Sequence, residues 1–91
     1  MQLRDINALA KDNLRKVFTS CEGYWKNNPT NDCSLPTSKK EQLDWGLKPD
    51  MVEILIINGQ KGSFKATARH DESDTIYQID NNGNIDINKT K

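Results

Sequence analysis

Apolar and polar positions follow two different periods along the chain, and the change falls near residue 50. In the first third, Leu3, Ile6, Ala10, Leu14, Val17, Phe18, Cys21, Tyr24 and Trp25 recur at helical spacing and predict one helix over residues 3–27. Set out at about 100° per residue, they fill a stripe about 120° wide. Arg4, Lys11, Asp12, Arg15, Lys16 and Glu22 fall on the opposite arc; Asn7 is the one polar residue inside the stripe, and Leu9 the one large apolar residue outside it. Gly23 weakens the helix by about 1 kcal/mol relative to Ala, and Asn27-Asn28-Pro29 ends it, because Pro disfavours a helical residue before it. Met1-Gln2-Leu3 supplies no strong cap, and Asp5, the nearest candidate, lies inside the periodic pattern. Such a start is expected of the lower half of a longer helix; a short complete helix is the plainer alternative.

Residues 28–50 carry Pro29, Pro36 and Pro49 among many Asn, Ser, Thr and Asp, and predict a loop-rich region. Loops this long are usually functional or locally pinned. Cys33 is the expected pin, Leu35, Leu43, Trp45 and Leu47 are candidate anchors, and residues 38–45 a short helical turn. From Met51 the period is two. Val52, Ile54 and Ile56 point one way, and Met51, Glu53, Leu55 and Ile57 the other. After the turn Asn58–Gly62, the residues Phe64, Ala66, Ala68 and His70 alternate with Lys65, Thr67 and Arg69 as in a half-buried strand. A third strand follows at Thr75–Asp80 with Tyr77 and Ile79 on one face, then a hairpin signal at Asn81-Asn82-Gly83, a short fourth strand over 84–87, and a tail. Tight turns imply antiparallel pairing. The expected fold is therefore α+β: one long N-terminal amphipathic helix on a 3–4-stranded antiparallel sheet spanning about residues 51–87, in a single domain.

Composition narrows the function classes. With 13 basic and 13 acidic residues the chain has no bulk attraction for nucleic acid or anionic membrane, and no specific nucleic-acid partner is expected. The longest apolar run, Ile54-Leu55-Ile56-Ile57, is far too short to span a bilayer. Cys21 and Cys33 are close enough in sequence to close a short loop. In a small secreted domain that favours a disulfide; two free thiols in a reducing compartment is the alternative.

Candidate chemistry is sparse. His70, the one histidine, would have to serve any Ser-His-Asp or Cys-His arrangement, yet nothing near it marks a nucleophile, so no catalytic residue is assigned and the chain is read as a non-enzyme. Asp80, Asn82, Asn84 and Asp86 alternate like oxygen ligands of a calcium loop, but the glycine is misplaced and the closing bidentate Glu is missing, so a hairpin of turn-forming residues is preferred. No cofactor is expected. Lys61-Gly62-Ser63 lacks the first glycine of a phosphate loop. The aromatic residues are not interleaved with basic ones as a single-strand binder would need, and read as core and loop anchors.

Two stretches carry a family resemblance. Ala10-Lys11-Asp12-Asn13-Leu14-Arg15, Cys21-Glu22-Gly23-Tyr24-Trp25 and the Asn-rich loop resemble the second half of the long helix of type IV pilins and pseudopilins. The segments 62–70, 75–80 and 83–85 resemble that family's sheet. The resemblance covers most of the chain. The family's leader and its apolar helix with a glutamate are not in this sequence. The family's disulfide usually brackets a C-terminal loop, so its adhesive loop is not carried over to Cys21 and Cys33.

The resemblance implies a structural subunit of an extracellular filament, held in the inner membrane before assembly only through a preceding apolar segment. Its partners would be other copies of itself and the pilus assembly machinery. Leu3, Ile6, Leu9, Leu14, Val17 and Phe18 become candidates for helix packing and assembly. Family roles include attachment, motility, DNA uptake and secretion. The alternatives are a type II secretion pseudopilin and a stand-alone secreted binding module.

Overall fold

The periodic stripe of the first third forms a 25-residue helix, α1 (Leu3–Asn27), which lies on a four-stranded antiparallel sheet. The computed structural model of the chain describes residues 3–90 and the side chains of residues 6–88. The Leu3 side chain and the capping candidate Asp5 lie outside the described side chains. A short helix, α2 (Lys39–Asp44), interrupts the loop region; its Ser38 cap accepts a hydrogen bond from the Glu41 N–H at 3.1 Å. The strands are β1 (Val52–Asn58), β2 (Lys65–His70), β3 (Thr75–Ile79) and β4 (Ile85–Thr90), neighbours in space in chain order. Each connection is short, and short connections leave a strand no partner but the one before it.

Register decides which residues share the sheet face that the helix covers, although Ile87 on the edge strand is 62% exposed. Ile54, Ala68, Tyr77 and Ile87 stand opposite one another across the four strands, as do Ile56, Ala66, Ile79 and Ile85. α1 runs across β2, flanked by β1 and β3. Ala10 on the helix and Ala66 and Ala68 beneath it are buried, so small side chains sit where the two layers come closest. Larger residues fill the space on either side: Leu14, Val17 and Trp25 from the helix, Val52, Phe64, Tyr77 and Ile79 from the sheet. Phe64 meets Trp25 edge-on with ring centroids 5.4 Å apart, and Phe18 at 5.8 Å.

The helix buries a wider arc than the stripe predicts. Leu9, expected outside it, packs against the core, and Asn13 is fully buried. The cause is a second cover on that flank. Asn13 Oδ1 accepts from the Lys48 N–H at 2.8 Å, its Nδ2 donates to the Leu9 carbonyl at 2.9 Å, and Lys16 Nζ donates to the Gly46 carbonyl at 3.2 Å. The segment leading into β1 is thus strapped to the side of α1. On the other flank Lys11, expected in the solvated arc, sits 5.3 Å from the Tyr77 ring centroid. Asn7, the polar residue inside the stripe, accepts from Ser73 Oγ at 2.7 Å and so ties the start of the helix to the β2–β3 turn.

Three expectations are corrected. Residues 88–90 are not a tail: β4 continues to Thr90, because Ile76 and Thr75 of β3 pair with Lys89 and Thr90 beyond a register shift. Tyr24, expected in the buried stripe, is exposed. Leu43, expected as an anchor, is 55% exposed, while Leu47 is buried and Leu35 and Trp45 pack against the core. Its helix α2 has no buried residue, being held at its ends rather than on a face.

Candidate functional site

Chain features that could carry function gather at the C-terminal end of α1. Cys21, at the centre of the apolar stripe, forms a disulfide with Cys33, with Cα atoms 5.6 Å apart. The loop therefore crosses the helix on its buried side, and there it meets the end of β1. The Gly59 carbonyl accepts both the Cys33 N–H at 2.7 Å and the Trp25 indole Nε1–H at 3.2 Å. One backbone oxygen thus joins helix, loop and sheet. Gly59 is buried, and a Cβ at this position would collide with the Cys33 backbone carbonyl, so only glycine lets the two chain segments pass.

Beside this junction lies an open groove of about 640 Å3. Phe18 and Trp25 of α1 and Pro29 of the following loop supply its apolar surface; Lys61, Gly62 and Asn81 close it from the β1–β2 and β3–β4 connections. Glu22, Lys26 and Lys61 stand exposed on its rim, and none of the three forms an ion pair among the described residues. The volume is in the range of small-ligand and side-chain pockets, roughly 300–1,000 Å3.

Of the residues named for helix packing and assembly, the five with described side chains are used inside the domain. Ile6, Leu14 and Val17 are buried against the sheet, and Leu9 and Phe18 are partly buried against the same core. Phe18 alone also borders the groove.

The candidate calcium residues form a turn. Asp80 Oδ1 accepts from the N–H groups of Asn82 and Asn84 at 2.9 and 3.0 Å, and the Gly83 N–H bonds back to the Asp80 carbonyl at 3.1 Å. Gly83 adopts φ 83° beneath the Phe18 ring. Asp86 lies two positions into the hairpin's second arm, opposite Gln78. No group of three or more His, Cys, Asp or Glu side chains that could hold a metal ion occurs among the described residues. His70 is buried at the end of β2. Its Nδ1 accepts the Glu72 N–H at 3.0 Å, which places the proton on Nε2, and Nε2 has no partner among the described residues. In this position the imidazole organises the β2–β3 turn.

The outer sheet face is open. Leu55 and Ile57 are more than half exposed, and Leu55 borders a shallow depression of about 170 Å3 with Thr67, Arg69 and Ile76. The loop, which could have covered this side, lies instead against α1 and the end of β1. No described helix is long and apolar enough to cross a membrane.

Compared with protein-family models, with curated proteins and with solved structures, the chain matches none of them significantly.

Neither Asn13 nor Gly59 stands out in the sequence. An Asn in a helix and a Gly in a turn are ordinary there, and only a contact far along the chain gives each its role. The groove draws on residues 18–29, 61–62 and 81, which no local period links.

Proposed function

We propose that this chain is the outward-facing head of a type IV pilus-like filament subunit, a structural protein rather than an enzyme, exported and assembled outside the cell. The observation that carries this reading is the architecture: a long amphipathic helix packed on a four-stranded antiparallel meander, with the connecting loop clamped to the helix by Cys21–Cys33. That layout is the one the resemblance to pilins implies, and a disulfide in so small a domain suits an oxidising compartment. In this reading α1 spends its apolar stripe on its own sheet, leaving Ala8, Arg15 and Thr19 exposed. Contact between helices along the filament axis then belongs to an apolar segment preceding Leu3 in the full subunit.

Immunogold labelling with antibodies to the chain tests this in cells that encode it. Label should follow thin surface filaments and enter the sheared filament fraction. A protein confined to the cytosol with two reduced thiols overturns the proposal.

A second reading, a stand-alone secreted binding module, is favoured by the uncovered Leu55 and Ile57 on the outer sheet face. Secretion as a free monomer, with no filament label, would support it instead. The pseudopilin alternative that uses calcium would draw on Asp80, whose Oδ1 accepts two backbone N–H groups of its own turn.

A further inference from the structure

We infer that Asn88 is a glycan acceptor, taking an oligosaccharide on its side-chain amide from a polyprenyl-pyrophosphate donor. The signal is Asn88-Lys89-Thr90, an Asn with Thr two positions on and no Pro between them. Two asparagines have Ser or Thr at that spacing. The other, Asn28, has Pro29 in the middle position, and its Nδ2 donates to the Tyr24 carbonyl at 3.2 Å. So short a motif also arises by chance, and its place in the fold decides. Asn88 is exposed, as are Asp86 and Ile87 before it. It lies on the edge strand β4, at the register shift: Tyr77 faces Ile87 and Ile76 faces Lys89, so Asn88 has no partner across the ladder. An extra residue of this kind is left unpaired and bends its strand. A transferase has to draw the acceptor segment away from its surroundings. In a central strand that would break ladder bonds on both sides. At Asn88 one side is an open edge and the other is already interrupted.

The transfer asks nothing of this chain beyond the amide. Nδ2 attacks C1 of the first sugar, and the bond from C1 to the pyrophosphate oxygen breaks. Polyprenyl pyrophosphate leaves with that electron pair, and the proton lost from Nδ2 passes to a base of the transferase. Such a transfer takes place on the non-cytosolic side of a membrane, so the inference rests on the export part of the reading above, which the Cys21–Cys33 bond supports. The position suits an assembling subunit. α1 rests chiefly on β1, β2 and β3, and β4 is the edge farthest from β1 and the loop clamped there. A glycan on β4 leaves that junction clear. It also covers an edge that needs covering: Ile87 beside it is 62% exposed, and an open edge strand is a template for unwanted pairing between chains. A bulky, hydrated sugar chain on that edge obstructs such pairing.

Incubating the folded, oxidised chain with an oligosaccharyltransferase and its lipid-linked oligosaccharide tests the site, read by intact and peptide mass spectrometry. The enzyme is one that modifies a control peptide spanning residues 84–91. The wild type should gain a single oligosaccharide, placed on Asn88, with Asn28 unmodified. Asn88→Gln and Thr90→Ala should each abolish the gain, and Thr90→Ser should keep it. Melting curves of the variants check that they are folded. A folded wild type left unmodified beside the control peptide overturns the inference, and so does transfer that survives Asn88→Gln. In the chain recovered from cells that encode it, the Asn88 peptide should carry the sugar. An exported, disulfide-bonded chain with Asn88 bare overturns the inference and leaves the filament reading standing. A reduced chain confined to the cytosol overturns both.

Discussion

Reducing the Cys21–Cys33 bond should lower the stability of the domain by about 3 kcal/mol at 25 °C. The two residues are separated by 12 positions, and closing a loop of that size removes roughly 3 kcal/mol of chain entropy from the unfolded state. For a domain of 91 residues, the total is only about 5–14 kcal/mol, so the bond accounts for a large share. In a domain this small, each kcal/mol moves the midpoint by about 4–8 °C, which places the expected fall in Tm at roughly 12–24 °C. A Cys21→Ala/Cys33→Ala variant should lose that amount and a further ~1 kcal/mol or so, because both side chains are buried and their sulfur atoms leave space behind. The urea m value should also rise on reduction, since the freed chain exposes more surface when unfolded.

Circular dichroism melts and urea titrations on the oxidised protein, the reduced protein and the double variant make the comparison. Reduced and oxidised forms melting within about 3 °C of each other would refute the entropy argument. Two reactive thiols in the folded, air-exposed protein would refute the pairing itself.

Other substitutions test the contacts around this bond. Gly59→Ala should cost about 1–3 kcal/mol by urea denaturation, because the methyl group runs into the Cys33 carbonyl; a neutral result means the loop does not cross there. Asn13→Ala should cost about 1–3 kcal/mol and speed amide exchange at Lys48, whose N–H loses its acceptor. Asp80→Ala should cost about 1 kcal/mol by removing an acceptor shared by two turn amides, and calorimetry of the parent protein should show no heat of calcium binding. Leu55→Lys with Ile57→Lys should change stability by less than about 0.5 kcal/mol; a loss above about 2 kcal/mol would mean that the outer face is covered.

The parts of the fold legible in the sequence are those where one period holds over a long segment. The α1 stripe works because helical spacing brings Ile6, Ala10, Leu14, Val17, Cys21 and Trp25 to one side, and a sheet is there to take them. The alternation of Phe64, Ala66, Ala68 and His70 is equally direct, since strand geometry sends every second residue inward. Where a second layer intervenes, periodicity alone misleads. Leu9 and Asn13 lie outside any simple stripe, yet they are drawn in because residues 46–48 cover that flank. Tyr24 fits the stripe and is exposed all the same. The last residues of β4 carry no strand pattern of their own; Ile76 and Thr75 extend the ladder to them by offering unpaired backbone opposite.

Function is harder to read because its residues have no local reason to be where they are. Lys26 and Glu22 read as a solvated helix face, Lys61 as part of a turn, and Lys40, Glu41 and Asp44 as the polar surface of a short helix. Each description is correct for its own segment. Only the fold reveals that the first three ring an apolar hollow, with none of them in an ion pair among the described residues. A lone exposed leucine is ordinary on a protein surface. Leu43 sits on α2, which buries nothing, yet is capped by Ser38 and tied by Gln42 to the Pro36 carbonyl at 2.8 Å. A six-residue helix with no buried side contributes little to the core.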